Sequence, residues 1–401
     1  MSDTQNIIQQ TEKRSAHNYY PLPIVINSGN GAWVYDVEGK KYLDMLSAYS
    51  ALNQGHLHPR IIARLIEQAQ QLTLTSRAFY NDKMGQFLES ICQLSGFEKA
   101  LPMNTGSEAV ETAIKAARKW GYLKKGIQEN LGEIIVCNNN FAGRTVTIIS
   151  FSTEDQYRLG FGPYTPGFKA IPFGDAKALE EAITPNTIGF LVEPIQGEGG
   201  VVVPPEGYLQ EIREITRKHN LLLILDEVQT GLGRTGEMFA FQHEKITPDI
   251  LILGKALGGG VYPVSVVLAD NEIMDVFTPG DHGSTFGGNP LAAAVGIASI
   301  EVLIEENLPQ RAMELGSYFM DKLININSPL VKEIRGKGLM IGVEIKEEYG
   351  TARPYCERLM QLGVLCKETH QQTIRFAPPL IITREDIDWA LEKIKLVLDC
   401  K

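Results

Sequence analysis

The feature that most limits what this chain can fold into is a set of short, nearly unbroken apolar runs through its middle: Glu133–Cys137, Ile188–Val192, Leu221–Leu225, Ile250–Leu253 and Val264–Leu268. A strand with one wet face alternates apolar and polar residues, whereas a run without alternation must be covered on both faces. The runs therefore predict an α/β fold with a mostly parallel sheet between layers of helix. Several lead straight into polar or glycine-bearing stretches: Asn138–Asn140, Glu193, Asp226-Glu227 and Gly254-Lys255. Ligands of open α/β sheets sit beyond the carboxyl ends of the strands, so reactive residue types gathering there mark a candidate site. Strand ends are also where loops begin, which leaves an ordinary reading open at each.

Outside this region the pattern changes. Residues 1–18 are a polar lead-in, and residues 31–46 alternate around Glu38-Gly39 as a hairpin does. After Pro290 a helical pattern runs to about Leu303 and on past Pro309. Strands near Val331–Ile345 and Thr373–Phe376 come next, then a helix from Glu385. This α+β tail predicts a smaller second domain, in keeping with the two or three domains expected of 401 residues.

A net charge of −10 argues against nucleic acid or an anionic membrane as partner. No apolar run approaches the roughly 20 residues of a membrane span, and the first residues lack a signal-peptide core. The cysteines (Cys92, Cys137, Cys356, Cys366, Cys400) form no CxxC pair, so neither a disulfide framework nor a zinc site is expected. A cytoplasmic protein is the resulting expectation. His56 and His58 have no carboxylate or cysteine at ligand spacing and read as a turn before a helix near Pro59, so no metal is expected.

Four motifs carry chemistry. Thr105-x-x-Glu108 is a capping-box signature, and the helix it starts would offer unpaired N–H groups beside Gly106 and Ser107, a phosphate cradle or simply a capped helix. Asp226 closes an apolar strand, with Gln229 three residues on. Such a carboxylate can hold a protonated heterocycle nitrogen, or merely cap a turn. Lys255 closes another strand, between Gly254 and Gly258–Gly260, where burial would lower its pKa as a Schiff-base lysine needs. A snorkelling lysine is the plainer alternative. Gly283–Pro290 offers Ser284 and Thr285 on flexible backbone before a helix.

The segment Gly231-Leu232-Gly233-Arg234-Thr235-Gly236 matches the GxGxxG of dinucleotide folds. The preceding strand ends at Leu225, too early for the required strand-to-helix turn, and the next stretch, Glu237–Lys245, is short for the required helix. A nicotinamide-dependent oxidoreductase is therefore disfavoured, as is a non-catalytic binding protein, because the reactive residues are intact.

Taken together these residues resemble the class III (ω-amino acid) aminotransferases of pyridoxal-phosphate fold type I. The resemblance rests on Asn104–Ala109, Phe141–Thr145, Glu193–Gly200, Asp226–Gly231 and His282–Pro290, which occur in family order within roughly residues 17 to 380. His17–Pro23, Ser47–His56 and Thr75–Asn81 are similar to members that take ornithine as amino donor. Ser107 and Phe286 depart slightly from relatives without removing a reactive group. Acetylornithine, γ-aminobutyrate or lysine is the alternative donor, and Tyr19 and Tyr49 favour ornithine over them.

The resemblance implies a large domain over residues 49–292 with a seven-stranded sheet, and a small domain over 293–401 against which residues 1–48 pack. It implies pyridoxal 5'-phosphate as cofactor, with Lys255 as its attachment point and proton shuttle. Asp226 would hold the ring nitrogen, Gln229 the phenolic oxygen and Phe141 the ring face. Gly106 and Ser107 would hold the phosphate together with Thr285 of the partner subunit, so a homodimer with a shared site is implied. Arg144 would take the α-carboxylate of ornithine and Tyr19 its α-ammonium. With 2-oxoglutarate, Arg144 would take the distal carboxylate and Arg375 the one beside the keto group. Glu198 would cover Arg375 while ornithine is bound.

Overall fold

The structure is a computed structural model that describes residues 2–399. Its centre is a seven-stranded sheet in the order Lys99–Met103, Ser265–Ala269, Ile250–Leu253, Leu222–Asp226, Thr187–Val192, Glu133–Cys137, Phe168–Ile171. Ser265–Ala269 is antiparallel to both its neighbours, and the other pairings are parallel.

Successive residues of one strand serve two cores, which is why the runs do not alternate. Ile134, Val136, Ile188, Ile224, Ile250 and Val267 pack under the helix Gly106–Leu123. Ile135, Phe190, Leu223, Leu251 and Val266 belong to the opposite core with Tyr208, Leu209 and Ile212 of the helix Tyr208–Lys218 and Val295 of Pro290–Glu305. Each fully buried Leu, Ile or Phe contributes about 2 kcal/mol, so the double covering gives the sheet its stability.

The predicted helix past Pro309 is two helices, Pro290–Glu305 and Leu308–Ile324, separated where Asn307 adopts a left-handed φ of 50°. The lead-in contains a helix, Asp3–Glu12, none of whose residues is buried. A four-stranded antiparallel sheet lies later in the chain, in the order Val331–Lys337, Met340–Ile345, Thr373–Phe376, Lys367–Thr369. A third sheet joins Ile26–Asn30, Trp33–Asp36 and Lys41–Asp44 to Val364–Leu365, so the N-terminal segment pairs with a late part of the chain.

The GxGxxG segment starts no helix suited to a dinucleotide. Its Arg234 is fully buried, donating through Nη1 to the Leu339 and Pro378 carbonyls (2.9 and 2.6 Å) and through Nη2 to Asn53 Oδ1 (2.6 Å), and so fastens the large sheet's loops to the later part of the chain. Among the described residues no His, Cys, Asp and Glu group could hold a metal, and no helix is long and apolar enough to cross a membrane. Cys92, Cys137, Cys356 and Cys366 are unpaired, and Cys400 lies outside the described residues.

Candidate active site

Three neighbouring parallel strands end side by side, and each delivers an ionisable residue. Thr187–Val192 leads to Glu193, Leu222–Asp226 ends on Asp226, and Ile250–Leu253 leads through Gly254 to Lys255. Burial pushes Asp226 up to about 6, although the Val228 N–H donates to its Oδ1 (3.0 Å) and the charge of Lys255 pulls the other way. Burial and the nearby Asp226 push Glu193 up to about 8. Its two oxygens accept from the backbone N–H groups of Phe141 (3.0 Å) and Gly197 (3.3 Å), so it ties together two loops that border the site.

Burial lowers the pKa of Lys255, against the attraction of Glu198, Asp226 and Glu193 and with the repulsion of Arg375. No hydrogen bond or ion pair engages its amine among the described residues. Its backbone is left-handed, φ 45°, at a residue with a Cβ. Such strain costs about 1–3 kcal/mol and persists only where the surroundings impose it.

The helix Gly106–Leu123 begins with the expected capping box: Thr105 Oγ1 accepts from the Glu108 N–H (3.2 Å) and Glu108 Oε2 from the Thr105 N–H (2.8 Å). The N–H groups of Gly106 and Ser107 stay without an intrahelical acceptor at the positive end of an 18-residue dipole. Ser284 lies beside this turn, its hydroxyl accepting from Asn104 Nδ2 at 2.9 Å. Thr285 is exposed and makes no hydrogen bond among the described residues.

The arginines differ in what covers them. Arg375 is 1% exposed, and its Nη1 donates to Glu198 Oε1 (2.6 Å) and Gln229 Oε1 (3.2 Å). Its Nε and Nη2 are buried without a hydrogen-bond partner. Burial alone would raise the pKa of Glu198, but the charge and hydrogen bond of Arg375 outweigh it and hold the carboxyl below its usual range. The ring of Tyr49 lies under Arg375, 4.8 Å from centroid to Cζ. Tyr49 sits in a left-handed turn in which Ser47, Ala48, Tyr49 and Ser50 all have positive φ (51°, 46°, 63° and 72°). Asp44 Oδ1 holds the start of that turn by accepting from the Leu46 and Ser47 N–H groups (2.9 and 2.8 Å).

Arg144 has no carboxylate partner among the described residues. Instead its guanidinium lies 3.6 Å from the ring centroid of Tyr157 and 5.6 Å from that of Phe141. Tyr19 is 75% exposed, in a segment held through Arg353, whose Nη1 and Nη2 donate to the Tyr20 and Pro21 carbonyls (3.0 and 2.9 Å).

The structure thus gathers Lys255, Asp226, Gln229, Glu198, Arg375 and Tyr49 in one place, and Phe141 with Arg144 beside a helix start that bears Gly106 and Ser107. It leaves Thr285 and Tyr19 exposed. Gln229 spends its amide on the Glu198–Arg375 pair, with Nε2 donating to Glu198 Oε1 at 3.4 Å. Sequence reading overlooked Tyr157, which has no motif, and assigned no role to Glu193, although Glu193 ends a strand as Asp226 does.

These residues fit pyridoxal phosphate. The site offers a buried carboxylate with one oxygen uncommitted to backbone, an unpartnered amine and free N–H groups at a helix start. Glycine at 197 lets the loop after Glu193 pack directly on Gln229, since a Cβ there would stand 2.2 Å from Gln229 Oε1.

The family model for class-III aminotransferases matches residues 14–398. The chain is 61% identical over 398 residues to the ornithine aminotransferase of Brevibacillus brevis, covering 99% of both chains. It is also 61% identical to that of Bacillus subtilis, covering 99% of this chain and 98% of the relative. The crystal structure of ornithine aminotransferase from Toxoplasma gondii superposes with a TM-score of 0.98 at 46% identity, covering 99% of this chain and 95% of that one. An acetylornithine aminotransferase from Elizabethkingia anophelis superposes with a TM-score of 0.89 at 49% identity, covering 99% of each chain. Strand-end chemistry, fold and whole-length similarity agree: this chain belongs to the class-III aminotransferase family, whose cofactor is pyridoxal phosphate.

Proposed function

We propose that the chain transfers the δ-amino group of L-ornithine to 2-oxoglutarate, giving L-glutamate and glutamate-5-semialdehyde, which cyclises to pyrroline-5-carboxylate. The observation that carries this reading is the unequal state of two arginines, Arg375 covered by Glu198 and Arg144 uncovered. Ornithine has an amine at each end and one carboxylate, so the arginine that takes the carboxylate decides which amine reaches Lys255. Arg144 can take it as a bidentate pair, with the Tyr19 hydroxyl accepting from the α-ammonium. With Arg375 masked, the δ-amine extends toward Lys255. 2-Oxoglutarate has two carboxylates; Arg144 takes the distal one, and the one beside the keto group displaces Glu198 from Arg375.

When bound, pyridoxal phosphate supplies an electrophilic carbonyl for the amine and a protonated ring that accepts the electron pair released at the substrate carbon. Lys255 would hold the cofactor and, once displaced, would move the proton at the substrate carbon, a role that the burial-lowered pKa of its amine favours. Asp226 would hold the proton on the ring nitrogen, Phe141 would cover the ring face, Gln229 would serve the phenolic oxygen on turning from Glu198 and Arg375, and Gly106 and Ser107 would hold the phosphate with Thr285 of the partner subunit. The exposure of Thr285, Phe79, Tyr80 and Phe286 supports a homodimer. We divide the chain into residues 1–48, 49–292 and 293–401.

The test is a turnover assay with ornithine and 2-oxoglutarate and detection of pyrroline-5-carboxylate. Similarity to the acetylornithine enzyme makes acetylornithine the donor to run beside it. Turnover of acetylornithine with none of ornithine refutes the donor assignment and leaves the class intact.

A further inference from the structure

The backbone that carries Glu198 is fastened to the sheet that carries Arg375. Cross-strand register places Arg335 opposite Gly342 and Gly342 opposite Arg375, so the three form one row on one face of the sheet. The segment after Glu198 crosses this row at Gly342, where a Cβ would stand 3.0 Å from Val201 Cβ and 3.2 Å from the Gly200 carbonyl oxygen. Arg335 grips the segment from the far side. Its Nε donates to the Val201 carbonyl (3.1 Å) and its Nη2 to the Gly200 carbonyl (2.7 Å) and Thr373 Oγ1 (3.2 Å). Its Nη1 is held by Glu333 (2.8 Å) and Glu344 (2.5 Å), which fix the guanidinium plane. The Thr369 hydroxyl donates to the carbonyl of Glu198 itself at 2.7 Å, and the preceding Gly197 N–H is held by Glu193.

We propose that Arg335 is a positioning residue for the choice of amine: it locks the Gly200–Val201 backbone so that Glu198 covers and uncovers Arg375 by side-chain rotation alone. The inference rests on the reading of Glu198 as the cover of Arg375. A loosened segment adds conformers in which Glu198 does not reach Arg375, and each leaves a bare guanidinium able to take the α-carboxylate of ornithine. A planar fork reaches two successive carbonyls and a carboxylate at once, which an ammonium does not. Arg335 therefore acts on specificity without touching substrate.

The experiment uses the holoenzyme with isotopically labelled ornithine, reading the ratio of α- to δ-amine transfer by NMR and backbone hydrogen exchange across residues 197–203. Arg335→Met keeps the apolar stem, and Lys332 still faces Glu344 at 2.6 Å. We expect it to raise the α-to-δ ratio about tenfold, the worth of one hydrogen bond to a charged group. Exchange across the segment should quicken in parallel. Arg335→Lys should recover part of the effect, and Gly342→Ala, which presses the segment off the sheet, should raise the same ratio. If Arg335→Met does not fold, Arg335→Lys and Gly342→Ala decide the matter. A general fall in turnover at the wild-type ratio, alongside a raised ratio in Glu198→Ala, overturns the positioning role and leaves the cover standing. An unchanged ratio in Glu198→Ala removes the cover and this inference with it.

Discussion

Replacing Glu193 by glutamine should change how the stability of the cofactor-free enzyme depends on pH. The folded chain holds the Glu193 proton up to about 8, whereas an ordinary glutamate releases it near 4.5. Below the lower value both states are protonated and the group contributes no pH dependence. Between the two values folding must take up a proton, so stability falls as pH rises, and above about 8 the loss is complete. A displacement of this size corresponds to roughly 5 kcal/mol across the window, comparable to the total stability of many domains. The amide of Glu193→Gln does not ionise and escapes that loss. It has a different cost: its carbonyl can serve only one of the Phe141 and Gly197 N–H groups, and its NH2 turns toward the other, for about 1–3 kcal/mol. The variant should therefore be less stable than wild type near pH 5 and more stable near pH 8.5, with the curves crossing between. Urea unfolding of both proteins at several pH values measures this. Parallel curves would refute a buried, proton-holding Glu193.

Other outcomes come from the same geometry. Lys255→Ala should abolish the visible absorbance of the covalently held cofactor and lower turnover by at least about 10³-fold, because both attachment and proton transfer are lost; spectroscopy and a single-turnover assay check the two separately. Tyr157→Leu removes the aromatic face 3.6 Å from Arg144 and should raise KM for both ornithine and 2-oxoglutarate about fivefold with kcat less affected, as a stacking contact of about 1 kcal/mol implies; Tyr157→Phe should stay close to wild type. If Thr285 completes the partner's site, mixing Lys255→Ala with Thr285→Ala subunits under conditions that reassort dimers should restore about a quarter of wild-type turnover, since half of the dimers are mixed and each has one intact site. No recovery on proven reassortment contradicts the shared site.

Much of the frame was legible in the residues. Glu133–Cys137 and Ile250–Leu253 are strands at the expected limits, and the capping box at Thr105 starts a helix where it should. The outer strands were not legible. Lys99–Met103 contains Pro102 and Phe168–Ile171 has exposed residues, because an edge strand pairs on one side only and does not need a continuous apolar run. The long helix after Pro290 looked continuous because its apolar spacing carries past Asn307, where one residue turns left-handed.

The sequence by itself determined which chemistry is available: a lysine, a carboxylate and a capped helix start at strand ends, in family order. These are local signals, written by neighbours within a few residues, and so they survive reading in one dimension. Only the tertiary structure decided the contacts that direct that chemistry; the resemblance implied that Glu198 covers Arg375, not how the two are brought together. Glu198 and Arg375 lie 177 residues apart and meet at 2.6 Å. Tyr157 reaches Arg144 across a loop, and Arg335 grips a backbone segment more than a hundred residues earlier in the chain. Such contacts depend on sheet register and on which loops lie across which strands. No residue spacing encodes that, because register emerges only when the two cores and the smaller sheet are packed together.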